Sequence, residues 1–134
     1  MPEKKHLVVI EDEKNILQLY ELVLQREDRE LHLFSNHSDA NEWLKNNTAD
    51  AILTDEKIIG QNYTGVEWVK ELRKSGDDTP VMVVSATVNP LTAKAAGAQK
   101  VLHKPPRLEE LEKALDEAGA PWTPGRVPVL PREN

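Results

Sequence analysis

The 134-residue sequence contains no cysteine, which excludes disulfide frameworks, thiolate zinc sites and cysteine nucleophiles. It also lacks any apolar run near the roughly 20 residues that a membrane-crossing helix needs. The N-terminus enters only the short run Leu7–Ile10, too brief for a signal peptide, so no membrane insertion and a cytoplasmic setting are expected. A surplus of basic side chains is missing as well: 17 Lys and Arg stand against 23 Asp and Glu, a formal net charge of −6. Direct nucleic-acid binding, which relies on clustered positive charge, is therefore not expected. What remains is 39% hydrophobic and 30% charged, the balance of one globular domain with room for a single sizeable core.

Five short apolar runs alternate with five stretches of helical spacing. Lys5–Ile10 ends in Glu11-Asp12-Glu13 and reads as a buried strand whose C-terminal end meets polar chemistry. From Lys14 to Glu27 the residues Ile16, Leu17, Leu19, Tyr20, Val23 and Leu24 recur at three- and four-residue steps, predicting an amphipathic helix. Leu31–Phe34 is a second strand, and Ser38-Asp39 offers an N-cap for a helix carrying Trp43 and Leu44 inward. Ala51–Thr54 ends at Asp55, a loop covers Lys57–Thr64, and Gly65–Lys74 resumes helical spacing with Val66, Val69 and Leu72 inward. Val81–Ser85, almost wholly apolar, is expected to be the central strand. A short helix over Leu91–Ala96, a strand over Lys100–His103 and a helix marked by Leu108, Leu111 and Leu115 complete the pattern. Parallel strands joined by right-handed helical crossovers give an α/β, doubly wound sheet covered on both faces. The domain is placed at residues 4–118, and the Pro-rich stretch 119–134 is read as a tail.

Ligands of such sheets bind beyond the carboxyl ends of the strands. Three ends present Glu11-Asp12, Asp55 and Ser85, with Lys104 after a fourth. Three converging carboxylates raise one another's pKa unless a cation intervenes, and hard oxygen donors favour Mg²⁺. Lys104 supplies a positive point charge for a carboxylate or a phosphoryl oxygen, and Ser85 a hydroxyl donor.

An acidic pair after strand one, a lone Asp after strand three, Ser after strand four and Lys-Pro after strand five together resemble the receiver domain of two-component response regulators. The resemblance covers roughly residues 4–118 and implies a flavodoxin-like sheet of strand order 2-1-3-4-5. By position, Asp55 is then the phosphoacceptor. Glu11, Asp12, Asp55 and the backbone carbonyl of Lys57 form the Mg²⁺ site, and Ser85 and Lys104 hold the phosphoryl oxygens. The implied partners are a histidine kinase or histidine phosphotransfer protein and a downstream protein, with room for a homodimer. The implied chemistry is self-phosphorylation and autodephosphorylation, not enzymatic turnover of an external substrate.

Three features depart from the family pattern. The loop after Asp55 is about two residues longer, the fourth helix is shortened by about a turn, and the switch position usually held by Tyr or Phe is Val101. Ser85 keeps the hydroxyl half of the switch. These departures leave open a phosphorylation-independent pseudo-receiver acting as an interaction scaffold. A hydrolase with an aspartyl nucleophile ranks lower, because no second acid follows Asp55 at Asp-x-Asp spacing. His6, His32, His37 and His103 show no ligand spacing and receive no role. Trp43 and Trp68 are read as packing residues, and Pro128–Pro131 matches PxxP within a tail that also holds Trp122.

Overall fold

The structure, a computed structural model, describes residues 4–118; the tail, with Trp122 and the PxxP stretch, lies outside the described residues. In chain order the elements are β1 (Lys5–Ile10), α1 (Lys14–Leu24), β2 (Arg29–Phe34), α2 (His37–Asn46) and β3 (Ala51–Asp55). They continue with α3 (Gly65–Lys74), β4 (Val81–Ser85), α4 (Pro90–Ala96), β5 (Lys100–His103) and α5 (Leu108–Ala118). All strand pairs are parallel, in the order β2-β1-β3-β4-β5, so each of the first four strands feeds a helix that crosses back over the sheet.

The two-residue period of the strands divides the core. Val8, Ile10, Ile52, Val81 and Val83 pack with Trp68, Val69, Ala93 and Ala96 of α3 and α4 on one face. Leu7, Val9, Leu53, Met82 and Val84 pack with Leu24, Leu111 and Leu115 of α1 and α5 on the other. The expected middle strand is corrected: β3 is central and β4 lies one place toward the β5 edge. Apolar content does not separate them, since both are buried at every residue.

Two helix ends also differ from expectation. Helix α1 stops at Leu24, where Gln25 turns extended with ψ 131° and the guanidinium of Arg29 takes the Leu24 carbonyl at 2.9 Å. Helix α2 is capped by Asn36, not by Ser38 or Asp39: its side-chain oxygen accepts the Asp39 N–H at 2.7 Å. Thr64 and Glu67 form a reciprocal capping box at the start of α3. Helix α4, seven residues long, is the shortest of the five, as its sequence suggests. Trp68 is buried in the core, and Trp43 is partly buried against it.

Candidate functional site

The ends of β1, β3, β4 and β5 bring the predicted polar residues to one edge. Among the described residues, Glu11, Asp12 and Asp55 place carboxylate oxygens all within 4.8 Å of one another. Glu11 is 2% exposed and its carboxylate accepts the Glu13 N–H at 2.9 Å. Burial outweighs that bond and, with the charge of Asp55, pushes the Glu11 carboxyl up to about 7. Asp12 sits at the rim, where its Oδ2 accepts the Ile59 N–H at 3.0 Å and ties the long loop after β3 to the cluster.

Lys104 Nζ lies 2.7 Å from Asp55 Oδ1. The two partners respond to this contact differently. Burial raises the Asp55 carboxyl above its ordinary value despite the ammonium beside it. Burial lowers Lys104, but the bond to Asp55 and the charges of Glu11 and Asp12 outweigh it and leave the ammonium raised. Exposure explains the asymmetry: the lysine side chain keeps 39% of its surface and much of its hydration, whereas the aspartate keeps 6%. Three carboxylates facing one ammonium leave an excess of negative charge in a partly dry place, and an all-oxygen donor set fits a hard divalent cation such as Mg²⁺.

Asp55, Lys57, Ser85, Thr87 and Lys104 line a cleft of about 170 Å³ beside the cluster. Ser85 Oγ accepts the N–H groups of Thr87 and Val88 at 3.1 and 3.0 Å, which fixes the turn after β4 and leaves the hydroxyl proton to donate. Val101 pairs with Val83 and lies partly buried against the α3–α4 face of the core.

Several supporting residues escape sequence reading. Thr54 Oγ1 donates to the Asp55 carbonyl and meets His37 Nε2 at 2.9 Å. Glu56 accepts the Val66 N–H at 2.9 Å and holds the start of α3 against the end of β3. Gln61 accepts from the His37 N–H and from the Tyr63 hydroxyl, anchoring the loop from within. Only Thr54 carries a signal in the sequence, a hydroxyl beside the acid in an otherwise apolar strand. Two of the four histidines that the sequence leaves without a role come together: His6 and His32, 26 residues apart, meet at 2.9 Å across β1 and β2.

Comparison with known proteins gives the same picture. The sequence matches the profile of the response regulator receiver domain over residues 7–116. It is 30% identical over 108 residues to "Response regulator MprA" of Mycobacterium sp. (strain KMS), covering 78% of this chain and 46% of that protein. It is 28% identical over 112 residues to "Uncharacterized transcriptional regulatory protein YkoG" of Bacillus subtilis, covering 81% and 48%. The chain thus spans about half the length of the curated relatives it matches. Among solved structures, the receiver domain of the Francisella response regulator 1452 superposes with a TM-score of 0.79 at 22% identity, covering 87% of this chain and 97% of that one. The chemotaxis response regulator CheY4 of Vibrio cholerae superposes with a TM-score of 0.76 at 25% identity, covering 86% and 98%. No described helix is long and apolar enough to cross a membrane.

Proposed function

The chain belongs to the response regulator receiver domain family of two-component signalling, a family of signalling modules and not of enzymes in the ordinary sense, and from that premise we propose that Asp55 is its phosphoacceptor. The observation that carries this reading is the 2.7 Å contact of Asp55 with Lys104 at the mouth of a cleft that Ser85 also lines. The donor is a phosphohistidine on a histidine kinase or histidine phosphotransfer protein in the cytoplasm. An Asp55 carboxylate oxygen forms a bond to phosphorus as the P–N bond breaks, and the imidazole leaves with the electron pair. The product is an acyl phosphate, which water later cleaves at phosphorus to restore the carboxylate and inorganic phosphate.

Such transfer needs positioning and charge stabilisation more than covalent work by the protein. Lys104, freed from the carboxylate oxygen it now holds, donates to a phosphoryl oxygen, and the Ser85 hydroxyl donates to another. Glu11, Asp12, Asp55 and the Lys57 carbonyl would hold Mg²⁺, which when bound neutralises charge on the transferring group. The phosphorylated form then signals to a downstream protein through a shifted conformational equilibrium.

The test is incubation with Mg²⁺ and a small acyl-phosphate donor, followed by intact-mass measurement. Wild type gains one phosphoryl group and Asp55→Asn gains none; equal uptake by both sinks the assignment. A second reading, a phosphorylation-independent scaffold, draws support from Val101, which offers no ring to turn inward when the site is loaded. It requires partner affinity to be the same with and without phosphate.

A further inference from the structure

A second cluster of metal-binding side chains stands at the opposite end of the sheet. The parallel register sets His6 beside Glu30 and Val8 beside His32, so the two-residue period puts His6, Glu30 and His32 on one face of the β1–β2 pair. His6 Nδ1 lies 2.9 Å from His32 Nε2, and the same Nε2 lies 3.6 Å from Glu30 Oε2. One ligand atom from each of the three residues falls within 4.8 Å of the other two. From these contacts we propose that His6, His32 and Glu30 form a binding site for a divalent transition-metal ion of the zinc class.

The donor set and its spacing both point that way. Two imidazole nitrogens and a carboxylate oxygen suit Zn²⁺ and its neighbours, whereas Mg²⁺ and Ca²⁺ take oxygen. Bonds of about 2.0–2.1 Å in a tetrahedron set neighbouring ligand atoms about 3.4 Å apart. The contacts of 2.9 and 3.6 Å bracket that edge, so small side-chain shifts bring all three onto one ion. The imidazoles are held before any ion arrives. His32 packs between the His6 ring, with centroids 5.1 Å apart, and the Trp43 indole at 4.3 Å, and the His6 main-chain N–H is bonded to Asp50 Oδ2 at 2.8 Å. Glu30 is half exposed and leaves a further coordination position open to water.

The site is separate from the acidic cluster. His6 and Glu11 are five residues apart along an extended strand, on the order of 16 Å, and the two donor sets share no residue. A bound ion would join edge strand β2 to β1 through side chains from both.

The experiment is calorimetric titration of the full chain with Zn²⁺ in excess Mg²⁺, which keeps the acidic cluster occupied. Wild type, His6→Gln, Glu30→Gln and the double variant Glu11→Gln/Asp12→Asn are compared, each first shown to unfold cooperatively. One Zn²⁺ per wild-type chain is expected, weakened on the order of 100-fold in His6→Gln and roughly 10-fold in Glu30→Gln, and unchanged in the double variant. Glu30 is exposed, so its substitution tests the ligand set even if His6→Gln fails to fold. Cu²⁺, which occupies the same donor class, should quench tryptophan emission through Trp43 beside His32 at a lower concentration in wild type than in Glu30→Gln. Absence of Zn²⁺ binding by wild type overturns the proposal. So does binding of undiminished affinity in both His6→Gln and Glu30→Gln, which marks an adventitious ion only, or binding lost in the Glu11→Gln/Asp12→Asn variant alone.

Discussion

The imidazole Nε2 of His37 lies 2.9 Å from the hydroxyl of Thr54, one residue before the acid at the centre of the site. Thr54 uses its proton on the Asp55 carbonyl at 3.0 Å, so the histidine must donate from Nε2 and carry its lone pair on Nδ1. The ring is fully buried, stacked 4.7 Å from Trp68, and Nδ1 has no hydrogen-bond partner among the described residues. A neutral histidine thus links α2, the Trp68 side of the core and the backbone of Asp55.

Burial holds this imidazole down at about 4 against its ordinary 6.5. Between those values the unfolded chain binds more protons than the folded one, so the contribution of His37 is fully present above about 6.5 and is lost as the pH falls toward 4. Glu11 acts in the opposite sense, since its raised carboxyl binds more protons in the folded state and its contribution falls as the pH rises from 4.5 to about 7. The total curve is therefore flattened, and the difference between wild type and His37→Gln isolates the histidine. In urea unfolding that difference should favour wild type by on the order of 3 kcal/mol more at pH 7 than at pH 4. A difference that does not change with pH would contradict the neutral, buried assignment.

Gly65 opens α3 where the helix passes closest to the end of β3. A Cβ there would stand 2.7 Å from the Asp55 carbonyl oxygen and 3.2 Å from the Glu56 Cα, both backbone atoms that cannot swing aside. The Gly65 N–H also donates to the Glu56 carbonyl at 2.7 Å. Gly65→Ala should cost about 1–3 kcal/mol in chemical unfolding, as overpacking does elsewhere, and should slow phosphoryl uptake by displacing Asp55. A loss below about 0.5 kcal/mol would show that the loop absorbs the methyl.

The sequence discloses the sheet, its helices and the polar residues at its carboxyl edge, because those depend on periodicity and on where each apolar run stops. Strand ends are local signals, and Glu11, Asp12, Asp55, Ser85 and Lys104 all sit at one. Contacts that depend on register are not local. His6 and His32 look unrelated at 26 residues apart until parallel pairing sets His6 beside Glu30. The end of α1 was likewise hidden, because it is fixed by Arg29, which lies beyond the helix it caps. Burial could not rank β3 against β4, since both interior strands are covered on two faces.

Asp12 has two roles that can be separated. Its Oδ2 accepts the Ile59 N–H at 3.0 Å, and its charge adds to a cluster that already holds Glu11 and Asp55. Asn at this position keeps an oxygen acceptor for the loop and removes the charge. Without divalent cation, Asp12→Asn should therefore be as stable as wild type or more so, through relief of like-charge repulsion. With Mg²⁺ at about 100 times its dissociation constant wild type should gain about 2.7 kcal/mol, and Asp12→Asn should gain little. Parallel thermal melts with and without Mg²⁺ check both halves, and an equal Mg²⁺ gain in the two proteins would remove Asp12 from the cation site.

The fold is closed away from the site by a charged pair of a different kind. Arg29, whose side chain is 3% exposed, donates to Glu112 at 2.9 and 3.3 Å and to the Leu24 carbonyl, joining the end of α1 and the start of β2 to α5. The forked geometry suits guanidinium and not ammonium. Removing the carboxylate takes one charged partner from a buried cation, so Glu112→Gln should cost about 1–3 kcal/mol, whereas Lys45→Ala, which breaks a pair exposed at 65% and 70%, should cost less than about 0.5 kcal/mol. The double variant Arg29→Met/Glu112→Leu removes both charges together and should lose less than the sum of its single changes, by about 1 kcal/mol or more. Additive losses in urea unfolding would mean that Glu112 is not the partner that keeps Arg29 in place.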